Sequence, residues 1–290
     1  MQSRRDFIKQ ASMLIAGGVA VPRLLSSCDG GAKKYLGLQL YSLREMVNDD
    51  GIEKTLQVVA KMGYTNLETA NYGNGRFYRK EPAEFKKMVE DLGMKLTSSH
   101  LSPELTNDRV ADMSWWRKAV DAHSEAGMKY MVTPSSPLNG DGATMDNLKR
   151  YCDYYNDLAL VTAGASMQFG YHNHAFEFEN KIDGVPVFDL MLENTSPNHV
   201  FFQLDVFWIK MGGFDPVAYM KKYPNRIKVL HIKDKKAIGV HNTVDFKAIF
   251  DQAYENGVKD WFVEVEEYDG TPQEDVTKSA NYLIKANFVK

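Results

Sequence analysis

A short apolar run that follows a polar stretch and a glycine recurs along the chain. It occurs at 61–68 (KMGYTNLE), 91–100 (DLGMKLTSSH), 125–134 (EAGMKYMVTP) and 255–266 (ENGVKDWFVEVE), and 162–174 (TAGASMQFGYHNH) is a looser copy. Glycine adopts the left-handed conformation that caps a helix at little steric cost. Each junction therefore predicts the end of a helix followed by the start of a strand.

Three further apolar runs, LGLQLYSL near 36, VFFQLD near 200 and IKVLHIKD near 227, bring the candidate strands to eight. One strand follows another about every 32 residues, which is the length of one βα unit. The segments between them, such as 52–62, 82–92, 111–127 and 144–163, are long enough for amphipathic helices. Eight such units predict a (β/α)8 TIM barrel. A doubly wound sheet is the rival fold, but no GxGxxG or phosphate-loop motif follows a predicted strand.

The N-terminal segment has the pattern of a targeting signal. Residues 3–9 (SRRDFIK) contain paired arginines, ASMLIAGGVAV follows, and LSSC ends at Cys28. This segment resembles a twin-arginine export signal that ends in a bacterial lipobox, with Cys28 as the lipidated residue. We therefore predict a signal peptide at 1–27, a linker at 28–34 and one barrel domain at 35–290. The protein would be periplasmic and anchored to the membrane by lipid; a soluble protein with a loose N-terminal tail is the alternative.

The composition, charge and cysteine content of the chain exclude some classes of protein. The chain has 290 residues, of which 44% are hydrophobic and 25% charged, as in soluble enzymes. Its formal net charge of −3 argues against a nucleic-acid partner, because binding to phosphates needs a basic surface. Apart from Cys28 the only cysteine is Cys152, in a predicted helix, so a disulfide framework is excluded and a packing role is expected.

Polar side chains stand late in nearly every predicted strand, where a barrel strand is otherwise buried on both faces. They are Gln39, Glu68, His100, His172, His174, Asp205, His231, Lys233, Glu264 and Glu266. Side chains alternate along a strand, so residues two apart, such as His172 and His174, share a face. We expect the whole set to converge inside the barrel at its C-terminal end, where barrel enzymes carry their active sites.

This convergence predicts a divalent metal ion. A single histidine or carboxylate at a strand end is more often a hydrogen-bonded structural residue. Several carboxylates and histidines in one buried mouth would, however, carry a large desolvation and repulsion cost. Carboxylate and imidazole ligands around one cation relieve that cost.

The order LD on strand six, HIKD on strand seven and VEVE on strand eight resembles the sugar phosphate isomerase/epimerase family of xylose-isomerase-like barrels, over residues 35–288. In that family a metal, often manganese but also magnesium, cobalt or zinc, is held by Glu, Asp, His and Glu from strands five to eight. The resemblance implies Asp205, His231 and Glu266 as ligands, with Glu266 preferred to Glu264. His172 or His174 takes the strand-five position.

The histidine on strand five departs from the ketose epimerases, which have a glutamate there. The HxH pattern is more similar to the inosose dehydratase branch. The resemblance implies a divalent-metal-dependent sugar isomerase or epimerase that acts through an enediolate on a keto sugar or sugar derivative. A lyase or dehydratase that eliminates across a 3-keto sugar or 3-keto glycoside is the alternative. A non-catalytic envelope barrel that binds carbohydrate is a second alternative.

Roles for the remaining residues follow from this hypothesis. Candidate acid/base residues are Glu266, Lys233, His100 and Glu68. Candidate substrate contacts are Gln39, Tyr41, Glu68, His100, Trp208, Lys233 and Glu264. Tyr72 is a further aromatic residue that could contact a sugar. The Gly-rich loop 71–79 (NYGNGRFYR) follows strand two and either covers the substrate or is a plain surface loop. An exported enzyme is expected to meet an unphosphorylated sugar, and the sequence leaves the oligomeric state open.

Overall fold

The computed structural model describes residues 34–103, 105–106 and 108–290. Within these residues eight parallel strands pair in chain order and the first strand pairs with the last, which closes a barrel. The strands are β1 Gly37–Gln39, β2 Asn66–Thr69, β3 Lys95–His100, β4 Tyr130–Thr133, β5 Gln168–His172, β6 Val200–Asp205, β7 Ile227–Lys233 and β8 Asp260–Glu264. The predicted signal peptide and Cys28 lie outside the described residues, so their roles stay predictions.

One main helix follows each strand of the described barrel. These helices are α1 Ile52–Met62, α2 Pro82–Asp91, α3 Arg109–Glu125, α4 Met145–Gly164, α5 Val187–Asn194, α6 Pro216–Lys222, α7 Phe246–Glu255 and α8 Pro272–Lys285. The eightfold βα repeat confirms the predicted TIM barrel. No helix among the described residues combines the length and the apolar character needed to cross a membrane.

The glycine junctions end helices as predicted, with one exception. Gly63, Gly93, Gly127 and Gly257 all have positive φ angles, between 75° and 96°. In the looser copy α4 instead runs through Gly164, and the positive φ of 59° falls on Ser166. The left-handed residue is therefore two positions later than the glycine pattern predicts.

The apolar residues form two cores of different size. The large core lies between the strands and the helices and includes Leu38, Leu67, Phe169 and Leu230. A separate small core consists of Tyr130, Val132, Phe201, Val229 and Phe262, and fills the amino-terminal part of the barrel interior. Because side chains alternate along each strand, the same inward faces carry the polar residues nearer the strand ends.

Short elements lie above the carboxyl ends of the strands. They are the 3-10 turns Leu40–Leu43 and Gly140–Gly142, and the helices Arg44–Asp50, Phe176–Glu179 and Val206–Met211. Two hairpins, Tyr72–Gly73 with Arg76–Phe77 and Lys181–Ile182 with Val185–Pro186, complete this layer. The first hairpin turns at Asn74 and Gly75, which both have positive φ as the tight Asn-Gly turn requires. These elements surround the entrance to the barrel.

Candidate metal centre and substrate cavity

Four predicted site residues on neighbouring strands approach one another at the carboxyl end of the barrel. His172 of β5, Asp205 of β6, His231 of β7 and Glu264 of β8 each direct one ligand atom into a common space. These atoms lie within 4.8 Å of one another, and all four residues are buried. The strand register pairs Asp205 with His231, and it pairs Glu264 with Lys233, two residues beyond His231.

Asp205 is oriented by the short helix that follows β6. Its Oδ1 accepts hydrogen bonds from the backbone N–H groups of Phe207 at 2.9 Å and Trp208 at 2.8 Å. The carboxylate thus caps Val206–Met211 and its rotation is fixed. Its Oδ2 is buried and has no hydrogen-bond partner among the described residues. A buried carboxylate oxygen without a partner is costly, and a metal ion would satisfy it.

His231 is oriented by the Glu68 carboxylate, which lies on the other side of the imidazole ring from Glu264. Its Nε2 lies 2.5 Å from Oε2 of Glu68, and its Nδ1 lies 3.2 Å from Oε2 of Glu264. Metal-binding histidines usually donate the second ring N–H to a carboxylate, which fixes the tautomer. Glu68 is in position to do this, and Nδ1 then faces the other three ligands. The donor set and its orientation fit a divalent cation.

Glu68 and Gln39, which the sequence suggests as substrate contacts, lie below the cavity instead. Both are fully buried. Glu68 accepts hydrogen bonds from Gln39 Nε2 at 2.8 Å, Ser98 Oγ at 2.6 Å and Gln203 Nε2 at 2.8 Å. Because protein groups occupy its oxygens, Glu68 is placed to position the His231 ring, and its expected contact with substrate stays a prediction.

Sequence reasoning missed Gln203 and Ser98. Besides its bond to Glu68, Gln203 places its Oε1 2.7 Å from His100 Nε2 and so orients that ring. Each missed residue stands two positions before a predicted site residue on the same strand face, Asp205 and His100 respectively. Following the alternation of side chains further towards the amino ends of the strands would have identified both residues.

Glu266 differs from its expected role as a metal ligand. β8 ends at Glu264, and the structure groups Glu264 with the other three ligands. Glu266 stands one level higher, where it binds Lys233 Nζ, and its backbone oxygen accepts from Arg44 Nη2 at 3.0 Å. We therefore assign the strand-eight ligand to Glu264. On strand five His172 belongs to the group, and His174 lies beyond the strand end.

Lys233 links the two glutamates of β8. Its Nζ lies 3.0 Å from Glu264 Oε2, also bonds Glu266, and stands 4.9 Å from the ring centroid of Trp208. Lys233 is 2% exposed, so its charge is paired away from solvent. Trp208, expected to contact substrate, instead provides an aromatic face for this ammonium group.

Burial and neighbouring charge set the ionisation of the centre. Burial, together with the charge of Glu264, raises the pKa of Asp205 to about 7, although the charges of Lys233 and His231 oppose this. Burial also favours a higher pKa for Glu68, but the charges of His100 and His231 outweigh it and lower the pKa to about 2. Burial lowers the pKa of His231, but Glu68 and Glu264 outweigh it and raise the value to about 10. Bound cations and deprotonated ligands are linked, so metal binding would release protons here.

A cavity of about 420 Å³ opens above the centre. Among the predicted residues, those that line it are Tyr41, His100, His172, His174, Glu264 and Glu266, with Tyr72 from the first hairpin. Its volume is that of pockets that bury small organic ligands, about 300–1,000 Å³. The histidines and glutamates that line the cavity could therefore contact a small molecule bound there.

His174 is held at this cavity by a buried carboxylate. Glu177 accepts from the His174 backbone N–H at 2.8 Å and from Tyr171 Oη at 2.6 Å. Burial raises the pKa of Glu177 to about 7. Nδ1 of His174 has no hydrogen-bond partner among the described residues. Its ring is thus positioned in the cavity wall with one nitrogen uncommitted.

The protein-family model of xylose isomerase-like TIM barrels matches residues 56–286 of this chain. The chain belongs to this family. A sugar phosphate isomerase/epimerase from Parabacteroides distasonis ATCC 8503 is 39% identical, with a TM-score of 0.82 over 89% of this chain and 100% of that one. The resemblance to sugar phosphate isomerases and epimerases is thereby confirmed.

More distantly similar proteins are named for both predicted reaction types. The inosose dehydratase of Clostridium tetani (strain Massachusetts / E88) is 23% identical over 280 residues, which cover 81% of this chain and 92% of that protein. An L-ribulose 3-epimerase structure is 14% identical with a TM-score of 0.70, over 86% of this chain and 93% of that one, and shows the shared fold. Enzymes of the same barrel type thus include epimerases and dehydratases.

Proposed function

We propose that the protein is a divalent-metal-dependent enzyme of the isomerase or epimerase type that acts on a keto sugar or sugar derivative. The observation that supports this proposal most directly is the group of His172, Asp205, His231 and Glu264 under a cavity large enough for a sugar. Manganese is the first candidate metal, followed by magnesium, cobalt and zinc, because the ligands combine carboxylate oxygens with imidazoles.

The bound metal would polarise the substrate carbonyl and make the neighbouring C–H more acidic. Glu266 faces the cavity and is held by Lys233, so it is placed to take that proton. His174 lines the cavity on the β5 side and is the candidate to return a proton elsewhere. Glu68 and Gln203 fix the rings of His231 and His100 during these steps.

Elimination across a 3-keto sugar or 3-keto glycoside is a second candidate, and the strand-five residue favours it. Epimerisation with two glutamates needs a carboxylate on β5 as well as on β8, whereas β5 here provides His172. A proton donor near the departing oxygen would complete elimination, and His100 and His174 both line the cavity. The relative from Clostridium tetani is a dehydratase, which supports this candidate.

Proton exchange tests the proposal directly. The metal-loaded protein is incubated in heavy water with a panel of ketoses and 3-keto glycosides, and deuterium beside the carbonyl is measured by mass spectrometry. We expect incorporation that falls by about 100-fold or more in Glu266→Gln. The neighbouring exposed Glu267→Gln is the matched control and should keep the parent rate.

The product distinguishes the reaction types. A product of unchanged mass indicates isomerisation or epimerisation, and loss of water or of an aglycone indicates elimination. Sugar binding without exchange over the whole panel would refute the enzyme proposal and favour the carbohydrate-binding alternative. The predicted export signal supports including unphosphorylated sugars first.

A further inference from the structure

The two sides of the substrate cavity differ in chemistry. The side formed by β5–β8 carries His172, His174, Glu264 and Glu266. On the side formed after β1–β4, His100 lies beside His172 with ring centroids 5.0 Å apart, and Ser102 is also polar. The larger other members of this side are apolar or aromatic: Tyr41, Tyr72, Leu101, Pro103, Trp115 and Pro134. A sugar held over the metal-binding group would therefore extend towards an apolar wall.

Tyr72 and Trp115 form a corner in that wall. Their rings meet edge to face with centroids 5.8 Å apart. Behind them Tyr72 packs on Phe77 at 5.1 Å and on His123 at 4.7 Å, and Trp115 packs on Trp116 at 5.3 Å. The corner is thus supported from the back by buried rings, and its geometry is formed without a ligand.

The corner offers ring faces and few hydrogen-bonding groups. The Tyr72 hydroxyl points to the backbone oxygen of Lys118, 3.5 Å away, on α3. Trp115 is 36% exposed, whereas its neighbour Trp116 is fully buried. Hydroxyl groups of a second sugar ring would find few partners here, and unpaired polar groups reduce affinity. A flat apolar group would gain contact area with both rings.

We propose that the ligand is a glycoside with an aromatic aglycone, and that Tyr72 and Trp115 bind this aglycone while β5–β8 bind the sugar. This deepens the proposed function and rests on it for the position of the sugar. The cavity volume of about 420 Å³ provides room beyond a single sugar ring. Specificity would then come from the hairpin after β2 and from α3, elements that contribute nothing to the metal-binding group.

Binding of unreactive glycosides tests this proposal without catalysis. Phenyl and methyl glycosides of glucose, galactose and mannose, in both anomeric forms, are titrated calorimetrically into the full chain loaded with manganese. For the sugar that binds best, we expect the phenyl glycoside to bind about tenfold more tightly than the methyl glycoside.

Substitutions of Trp115 then test whether this residue causes the preference for phenyl glycosides. Trp115→Ala should remove most of the phenyl preference, and Trp115→Leu, which keeps an apolar side chain, should remove part of it. Methyl glycoside affinity should change by less than about twofold in both. Val110→Ala, at a position of the same helix that is 79% exposed, is the control and should keep the preference.

Three results would overturn the proposal. Equal affinity for phenyl and methyl glycosides would refute the aromatic subsite and leave the sugar function intact. A phenyl preference that survives Trp115→Ala would refute the assigned location. Failure of every glycoside to bind, with the metal bound as shown by elemental analysis of the same sample, would refute both this proposal and the proposed substrate class.

Discussion

On β6 the inward side chains change from Phe201 to Gln203 and then Asp205, and on β7 they change from Val229 to His231. Two residues along the same face of the same strand separate apolar packing from candidate metal binding. The amino end of the interior is a small apolar core, and the carboxyl end is a buried group of histidines and carboxylates. The comparison teaches that one barrel face serves stability at one end and chemistry at the other.

Glycines belong to the packing end of this comparison. A Cβ at Gly170 would lie 2.5 Å from the Phe201 ring, and one at Gly37 would lie 2.1 Å from the Trp261 backbone oxygen. The carboxyl end instead leaves atoms unsatisfied, including Asp205 Oδ2. Close packing at the amino end thus contrasts with a buried carboxylate oxygen that lacks a partner at the carboxyl end, and substitutions should affect the two ends differently.

The largest effect is expected at the carboxyl end. In the double variant Asp205→Ala/His231→Ala two of the four grouped ligands are lost, so metal content should fall to roughly a tenth of the parent value or less. Elemental mass spectrometry of purified parent and variant after manganese reconstitution measures this. Far-ultraviolet circular dichroism checks that the variant is folded. A folded variant with the metal content of the parent would show that these residues do not bind the ion.

A smaller effect is expected at the amino end, and it concerns stability alone. Gly170→Ala forces a methyl group against Phe201 and should lower the free energy of unfolding by about 1–3 kcal/mol. Gly164→Ala is the matched control, because a Cβ there meets nothing within 4 Å, and it should be neutral or slightly stabilising. Urea unfolding of both variants measures the difference. Equal stability of the two variants, or metal loss in folded Gly170→Ala, would break the distinction between the ends.

The sequence was sufficient for the barrel and for the end of it that carries the polar residues. Glycine junctions and a repeat of about 32 residues are local features, so they predict the strands and helices. The set of late-strand polar residues follows from the same alternation. The expectation of convergence at the C-terminal end therefore rested on local pattern plus one general rule about barrels.

The details that the sequence did not predict depend on contacts between residues that are far apart in the chain. Glu264 and Glu266 share a face, and the register pairs Glu264 with Lys233, two residues beyond His231. The place of Glu264 in the group therefore follows from the three-dimensional arrangement and not from a local pattern. Glu68 resembles a catalytic carboxylate in sequence, but hydrogen bonds with residues of four other strands hold it beneath the cavity. Tyr72 and Trp115 meet through a hairpin and a helix whose positions no local period encodes.

The smallest expected effect concerns residues that act through others. Glu68→Gln keeps the shape of the side chain but weakens the hold on His231 Nε2, so manganese affinity should fall about tenfold. Tyr130→Phe is the matched change at the amino end: it removes a 2.8 Å hydrogen bond to Asp260 and should leave metal affinity unchanged within about twofold. Competition with a metallochromic chelator measures both affinities in folded protein. If Glu68→Gln binds manganese as tightly as the parent does, the orientation of His231 does not depend on Glu68, and the boundary between packing and metal binding lies above Glu68. A tenfold loss in Tyr130→Phe would show instead that the amino-end core transmits its packing to the metal-binding group.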